Sequence, residues 1–297
     1  MRDERGGVRP QSDGPRRQWR RGLFWIGAVA ALAMLLPASS AVAGPEDDDG
    51  ELPRWSLAAA TGVQELASRD EMGSPLMYGG VGYPAVLQLQ RRGPKWTAGG
   101  ELGAQIGGLN GGQLEAGPAS EGSPGHRADG VSVDLSVWMQ RLLVEPGDHR
   151  VSVGGGIGHW TFFRSYLYDP AQIGSVESWD ASVTADLRIG LERRIGRLSW
   201  HLGTNLALAG RMMRPSYSLR GDEQLAMARD YGQVLREGSW ATIRQLQKLE
   251  ADAGIQWDVT SRWGAGVDYR VRYLSYRGER PTRAFAQRLV VGAEFRF

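Results

Sequence analysis

The chain has 297 residues, 42 of them Gly and 11 Trp, with no Cys and a formal net charge of +2. Without Cys there is no disulfide framework, no thiolate metal site and no thiol catalysis. The mean hydropathy of −0.36 excludes a bundle of membrane-spanning helices, but not a membrane-spanning sheet, whose strands are half polar.

Residues 1–43 have the three parts of a secretory signal. Arg16, Arg17, Arg20 and Arg21 form a basic start, Leu23 to Leu36 an apolar core, and Ala41-Val42-Ala43 a small-residue cleavage site. The apolar core is about 14 residues, short of the roughly 20 that a spanning helix needs. The mature chain is expected to begin at Gly44. The signal holds seven of the 35 basic residues and three of the 33 acidic ones, which leaves the remainder at net −2. The sequence pI of about 9.0 therefore gives no support to a nucleic-acid partner. Residues 44–53, GPEDDDGELP, read as a short acidic leader.

From residue 54 to 297 the hydrophobic period is two. The clearest stretch runs from Trp179 to Glu192. Trp179, Ala181, Val183, Ala185, Leu187, Ile189 and Leu191 alternate with Asp180, Ser182, Thr184, Asp186, Arg188, Gly190 and Glu192. Such alternation describes a strand with one apolar and one polar face. The pattern predicts strands at about 54–63, 83–91, 95–107, 131–141, 149–163, 179–192, 198–209, 247–259, 263–275 and 285–297. The fifth is the least regular, because Trp160 and Phe162 fall out of phase with Val151, Val153 and Ile157, which suggests a bulge. Connections near 93, 146, 195 and 261 are tight. Those at 64–82, 108–130, 164–178, 210–246 and 276–284 are long, and Asp222 to Arg236 within one of them has helical character.

Ten amphipathic strands with alternating short and long connections predict an all-β fold, a transmembrane antiparallel up-and-down barrel, with eight or twelve strands as neighbouring options. Aromatic residues collect at strand ends. Trp55, Trp96, Trp200, Trp257, Trp263 and Phe297 lie toward the short turns; Tyr83, Trp160, Trp179, Trp240 and Tyr273 lie toward the long connections. Amphipathic rings prefer the headgroup boundary, so two membrane-interface girdles are expected.

The last strand carries a further signal. Leu289, Val291, Ala293, Phe295 and Phe297 alternate up to a terminal Phe. In this it resembles the C-terminal strand of Gram-negative outer-membrane β-barrel proteins. The resemblance is to the class and to no particular family. It implies insertion by the barrel-assembly machinery, an outer-membrane location, and contact with outer-membrane lipid and lipopolysaccharide. A monomer is expected.

If the apolar faces meet lipid, the polar faces line a lumen. They carry Asp134, Asp180, Asp186, Arg188, Glu192, Glu250, Asp252, Asp258, Asp268, Arg270, Arg272, Arg288, Glu294 and Arg296. Pairing residue 259 with 263 across the turn places Asp252 opposite Arg270 and Glu250 opposite Arg272. Opposite charges facing one another across a strand pair contribute roughly 0.2–1 kcal/mol. One reading makes these residues a salt-bridged filling, the other the wall of a narrow polar channel for small solutes. Eight strands leave just enough room for side chains and 16–18 enclose a water channel, so ten strands favour the filled lumen and a structural, surface or lipid-facing role. Arg211 and Arg214 near the outer mouth suit anions or lipopolysaccharide phosphate.

The alternative is a hydrolase at the barrel rim, phospholipase-like or protease-like. Of four His, His126 sits in a long connection, His149 in a short turn, and His201 faces the lumen near the short-turn end. His159 and Thr161 are the weak candidates. His159-Trp160-Thr161 resembles the His-x-Ser spacing of the outer-membrane phospholipase, with Thr for Ser, and alternation puts both on one face. The strand count resembles that of the omptin proteases, whose Asp–His chemistry has no placed partner here; Asp169, Asp222 and Asp230 lie in long connections. The sequence points to no cofactor and no metal, and favours a non-enzymatic barrel.

Overall fold

The computed structural model describes residues 55–70, 77–111, 127–144, 149–167, 175–214, 238–278 and 281–297. The signal, the acidic leader and the segment Asp222–Arg236 lie outside the described residues, as do His126, Asp169 and Asp230.

Eleven antiparallel strands form one sheet. They are β1 (Trp55–Asp70), β2 (Met77–Arg92), β3 (Trp96–Gly111), β4 (Arg127–Val144), β5 (His149–Leu167), β6 (Ser175–Ile195), β7 (Leu198–Met213), β8 (Ser239–Thr242), β9 (Leu246–Asp258), β10 (Trp263–Tyr276) and β11 (Thr282–Arg296). From β1 to β8 each strand pairs with the next in sequence, β9 pairs with β7 and β10, β10 pairs with β11, and β1 pairs with β11 from Ser56–Arg296 to Asp70–Thr282. The sheet thus closes on itself and leaves no edge to aggregate. β8 and β9 occupy one position, since both pair with β7, β8 above and β9 below. The result is the expected up-and-down barrel with ten positions around its circumference.

Most strands extend further toward the long connections than alternation alone predicts. β6 runs to 21 residues, whereas about 9–11 tilted residues cross a bilayer. The barrel therefore rises beyond an apolar band on that side. The described turns at the other end are tight. Gly93 N donates to Trp96 O at 2.8 Å, and the Thr260 hydroxyl accepts from Trp263 N at 2.9 Å. The turn between β6 and β7 uses Gly196 at φ 61°, a left-handed conformation that glycine adopts without strain.

The apolar faces point outward. Leu89, Leu102, Val137, Ile157, Ile189, Leu202, Ile255 and Val291 are among many large exposed side chains. Soluble monomers rarely leave so continuous an apolar surface in water.

β5 corrects the expected bulge. It pairs with β6 without a register shift from His149–Arg193 to Leu167–Ser175. Trp160 and Phe162 simply face inward and are buried. The register shifts lie instead between Leu142 and Val144 in β4 and between Ala185 and Asp186 in β6.

Candidate functional site

The inward faces divide the lumen into levels. Toward the long connections lies a buried polar cluster. The Asp180 carboxylate accepts from Arg164 and, at 2.5 Å, from Arg214 Nε. Arg164 also donates to the Ser68 hydroxyl at 3.1 Å, and Arg214 to the Pro281 carbonyl at 2.9 Å.

Next is an apolar plug. Leu66, Tyr78, Leu109, Trp160, Phe162, Met212, Leu246, Leu274 and Tyr276 form one cluster across the barrel. The Trp160 and Phe162 rings lie 5.8 Å apart, and the Arg164 guanidinium sits 5.0 Å over the Phe162 ring. A cavity of only about 10 Å³ remains beside these rings, at the lower limit of what one water needs.

Beneath the plug is a belt of ion pairs that cross the lumen. Glu101 on β3 accepts from Arg270 on β10 at 2.9 Å and from Arg288 on β11 at 3.2 Å. Asp134 on β4 is bound by Arg272. Glu250 on β9 accepts from Arg272 Nε at 2.7 Å, and Lys248 reaches Asp186 at 3.4 Å. Glu101, Asp134, Asp186 and Glu250 thus each have a cation within ion-pair distance. Buried charges persist only under that condition, since an unpaired one would cost several kcal/mol.

The short-turn end is different. A cavity of about 270 Å³ opens there, lined by Gln88, Gln90, Gln140, Ser152, Arg188, His201, Asp252, Gln256 and Asp268 among others. At its mouth Arg92 pairs with Glu192 at 3.1 Å and Arg194 with Asp258 at 2.8 Å. Arg296 contacts both Asp258 and Glu294, the latter at 2.9 Å. His201 Nε2 lies 2.9 Å from Asp268 and 3.8 Å from Asp252.

The lumenal residues read from sequence therefore all face inward, but some partners differ. Asp252 stands opposite Arg270 in register and Glu250 opposite Arg272. Only the second pair bonds locally; Arg270 reaches across the barrel to Glu101 instead. Sequence reasoning missed Glu101, Arg164, Asn205 and Lys248. For Glu101 and Lys248 the signal was present, because alternation puts both on the polar faces of their strands.

Trp138 falls on the polar, lumenal face of β4 by alternation. It is buried at the boundary between belt and cavity, with its ring over Gly99, its partner on β3. A Cβ on Gly99 would stand 2.6 Å from the ring, so a glycine there makes room for the indole. The Arg188 guanidinium sits on this indole at 4.9 Å.

His159 and Thr161 do meet, with Thr161 Oγ1 2.7 Å from His159 Nε2. They lie on the outward face of β5. Their register neighbours are Leu135 and Val183 for His159, and Val133 and Ala181 for Thr161. The side chains at these four positions are all aliphatic. His149 also faces outward, edge-on to Trp200 at 6.3 Å. Among the described residues no group of three or more His, Cys, Asp or Glu is arranged to hold a metal.

The aromatic ends have an uneven make-up. Trp55, Trp96, Trp257 and Phe297 are exposed at the short-turn end, with Trp200 and Trp263 half-buried. Arg91 covers Trp55 at 5.6 Å and Arg141 covers Trp96 at 5.8 Å, while Trp263 packs on Phe295 at 4.9 Å. Toward the long connections Tyr83 and Trp240 are each 71% exposed, and Tyr273 is also exposed. Trp160 leaves that girdle for the lumen. Trp179 is on the outward face but only 2% exposed, packed against Phe163, so it is not an exposed interfacial ring. Arg211 lies over Trp240 on the outside, and Arg214 turns inward to Asp180.

No protein-family model matches the chain, and no curated protein does. Solved structures do. The outer membrane protease OmpT from Escherichia coli matches with a TM-score of 0.50 at 8% identity, over 82% of this chain and 96% of that one. The translocator domain of the autotransporter NalP from Neisseria meningitidis matches at 15% identity, over 91% and 98%, with a TM-score of 0.38. Neisserial surface protein A matches at 9% identity, over 82% and 97%, with a TM-score of 0.32. The likeness to the protease is one of fold: an antiparallel barrel of the outer-membrane kind.

Proposed function

We propose that this chain is an outer-membrane β-barrel with a closed lumen, a structural, surface or lipid-facing protein and not a conduit for solutes. One observation carries the reading: the apolar plug spans the lumen and rests on a belt of paired charges. A polar solute crossing there would shed its water against aromatic rings and then break ion pairs. In this reading residues 1–43 are removed on export, β11 is the segment handled by the assembly machinery, and the monomer sits in outer-membrane lipid. The short turns then face the periplasm and the long connections the cell surface, where Arg211 and Trp240 meet lipopolysaccharide.

Planar-bilayer recording of the refolded mature protein tests it. Silence at ±100 mV (an applied voltage of about ±2.3 kcal/mol per elementary charge) is expected. Steady ohmic steps from the wild-type chain would establish the narrow channel in its place.

A hydrolase is the second reading, favoured only by the contact between His159 and Thr161. The side chains beside the two in register, Leu135, Val183, Val133 and Ala181, are aliphatic, so no acidic residue at those positions completes a triad. Phospholipid and peptide hydrolysis by the wild-type protein, lost in His159→Ala, would establish it; equal background rates in both would end it.

A further inference from the structure

The cavity at the short-turn end has a feature that its ion pairs leave unused. Arg188 is fixed on two sides. Its Nε donates to Asn205 Oδ1 at 2.5 Å and its guanidinium lies on the Trp138 ring at 4.9 Å. Among the described residues no carboxylate lies within 4.0 Å of it. The neighbouring lumenal cations Lys248, Arg270, Arg272 and Arg288 each have such a partner.

A half-buried guanidinium held over an indole and lining a cavity of about 270 Å³ is an arrangement suited to anions. Holding the planar fork in advance lowers the ordering cost of a bidentate hydrogen-bonded pair. Arg stacked on an aromatic face keeps its in-plane donors available. The cavity wall supplies neutral donors and acceptors from Gln88, Gln90, Gln140 and Ser152. Asp252, Asp268 and His201 line it as well. The carboxylates disfavour a polyanion and suit a hydroxyl or amine on the same ligand.

We propose that this cavity is a binding site for a small polar solute bearing one carboxylate or phosphate, which Arg188 receives. In the orientation above, the site is filled from the periplasm, and the plug prevents onward passage. The orientation rests on the proposed function; the binding site does not.

Calorimetric titration of the refolded mature protein in phosphatidylcholine vesicles, with inorganic phosphate, acetate and serine as probes, tests the proposal. Saturable one-to-one binding of at least one probe is expected, weakened tenfold or more in Arg188→Gln. Arg91→Gln, which alters an exposed outward-facing arginine, is expected to bind as the wild type does. Heat-modifiability on a denaturing gel shows whether each variant is a folded barrel. Should Arg188→Gln fail to fold, Asn205→Leu and Trp138→Phe, which loosen the same guanidinium, serve in its place with a threefold or greater loss expected. No binding of any probe to the folded wild type, or binding unchanged in the folded Arg188 variant, overturns the proposal. Conductance is recorded on the same samples, so an open lumen and an absent site are told apart.

Discussion

The two halves of the lumen solve one problem in opposite ways. Toward the long connections, β5 turns Trp160 and Phe162 inward, and the apolar plug excludes water. Toward the short turns, glutamines, serines and ion pairs line a cavity that stays open. The belt between them is polar yet closed, because arginines from β10 and β11 reach carboxylates on β3 and β4. A barrel of this width can be shut by rings or by paired charges. Where neither is dense enough, space for a ligand remains.

The contrast breaks most readily at the plug. Trp160→Ala with Phe162→Ala removes two buried rings, each worth about 3–5 kcal/mol. Urea unfolding in lipid vesicles is expected to show a large fall in midpoint, and bilayer recording a conductance that the wild type lacks. If the double variant stays silent, the belt alone seals the lumen.

Glu101→Gln comes next. It leaves Arg270 and Arg288 without their shared carboxylate, and breaking such a buried pair costs about 3–5 kcal/mol. The same unfolding measurement should show it. Replacing Glu101 by Leu together with Arg270 and Arg288 by Met should recover much of the loss, since it removes the whole set of coupled charges.

Gly99→Ala sharpens the boundary between belt and cavity. The added methyl meets the Trp138 ring, an overpacking expected to cost about 1–3 kcal/mol. It should also displace the indole under Arg188, read as a shift in tryptophan emission. The smallest effect is expected for Arg92→Gln. Its partner Glu192 is 3.1 Å away, and both side chains are about 30% exposed, so no more than about 1 kcal/mol is at stake. A larger loss would mean that the cavity mouth is drier than its lining implies.

Much of this was legible in the sequence. Strand positions, tight turns at 93, 195 and 261, and the inward set from Asp134 to Arg296 all follow from a period of two, because alternate side chains must face opposite sides of a sheet. Trp160 and Phe162 show the limit. Aromatic residues are at home both at a membrane boundary and in a packed lumen, and alternation was read as broken when it had simply continued. The His159–Thr161 contact was legible for the same reason, being set by spacing within one strand. Asp252 opposite Arg270 was a register inference across one turn, and the register holds.

What the sequence by itself determined, then, is which face each residue takes and which strands are neighbours. The tertiary structure alone decided which residues share a level across the barrel. Glu101 and Arg270 are 169 positions apart in the chain, and nothing local relates their heights. That relation is set when β1 pairs with β11 and the stagger of the closed sheet is fixed. Only then do particular charges meet, particular rings stack, and Arg188 come to line an open cavity.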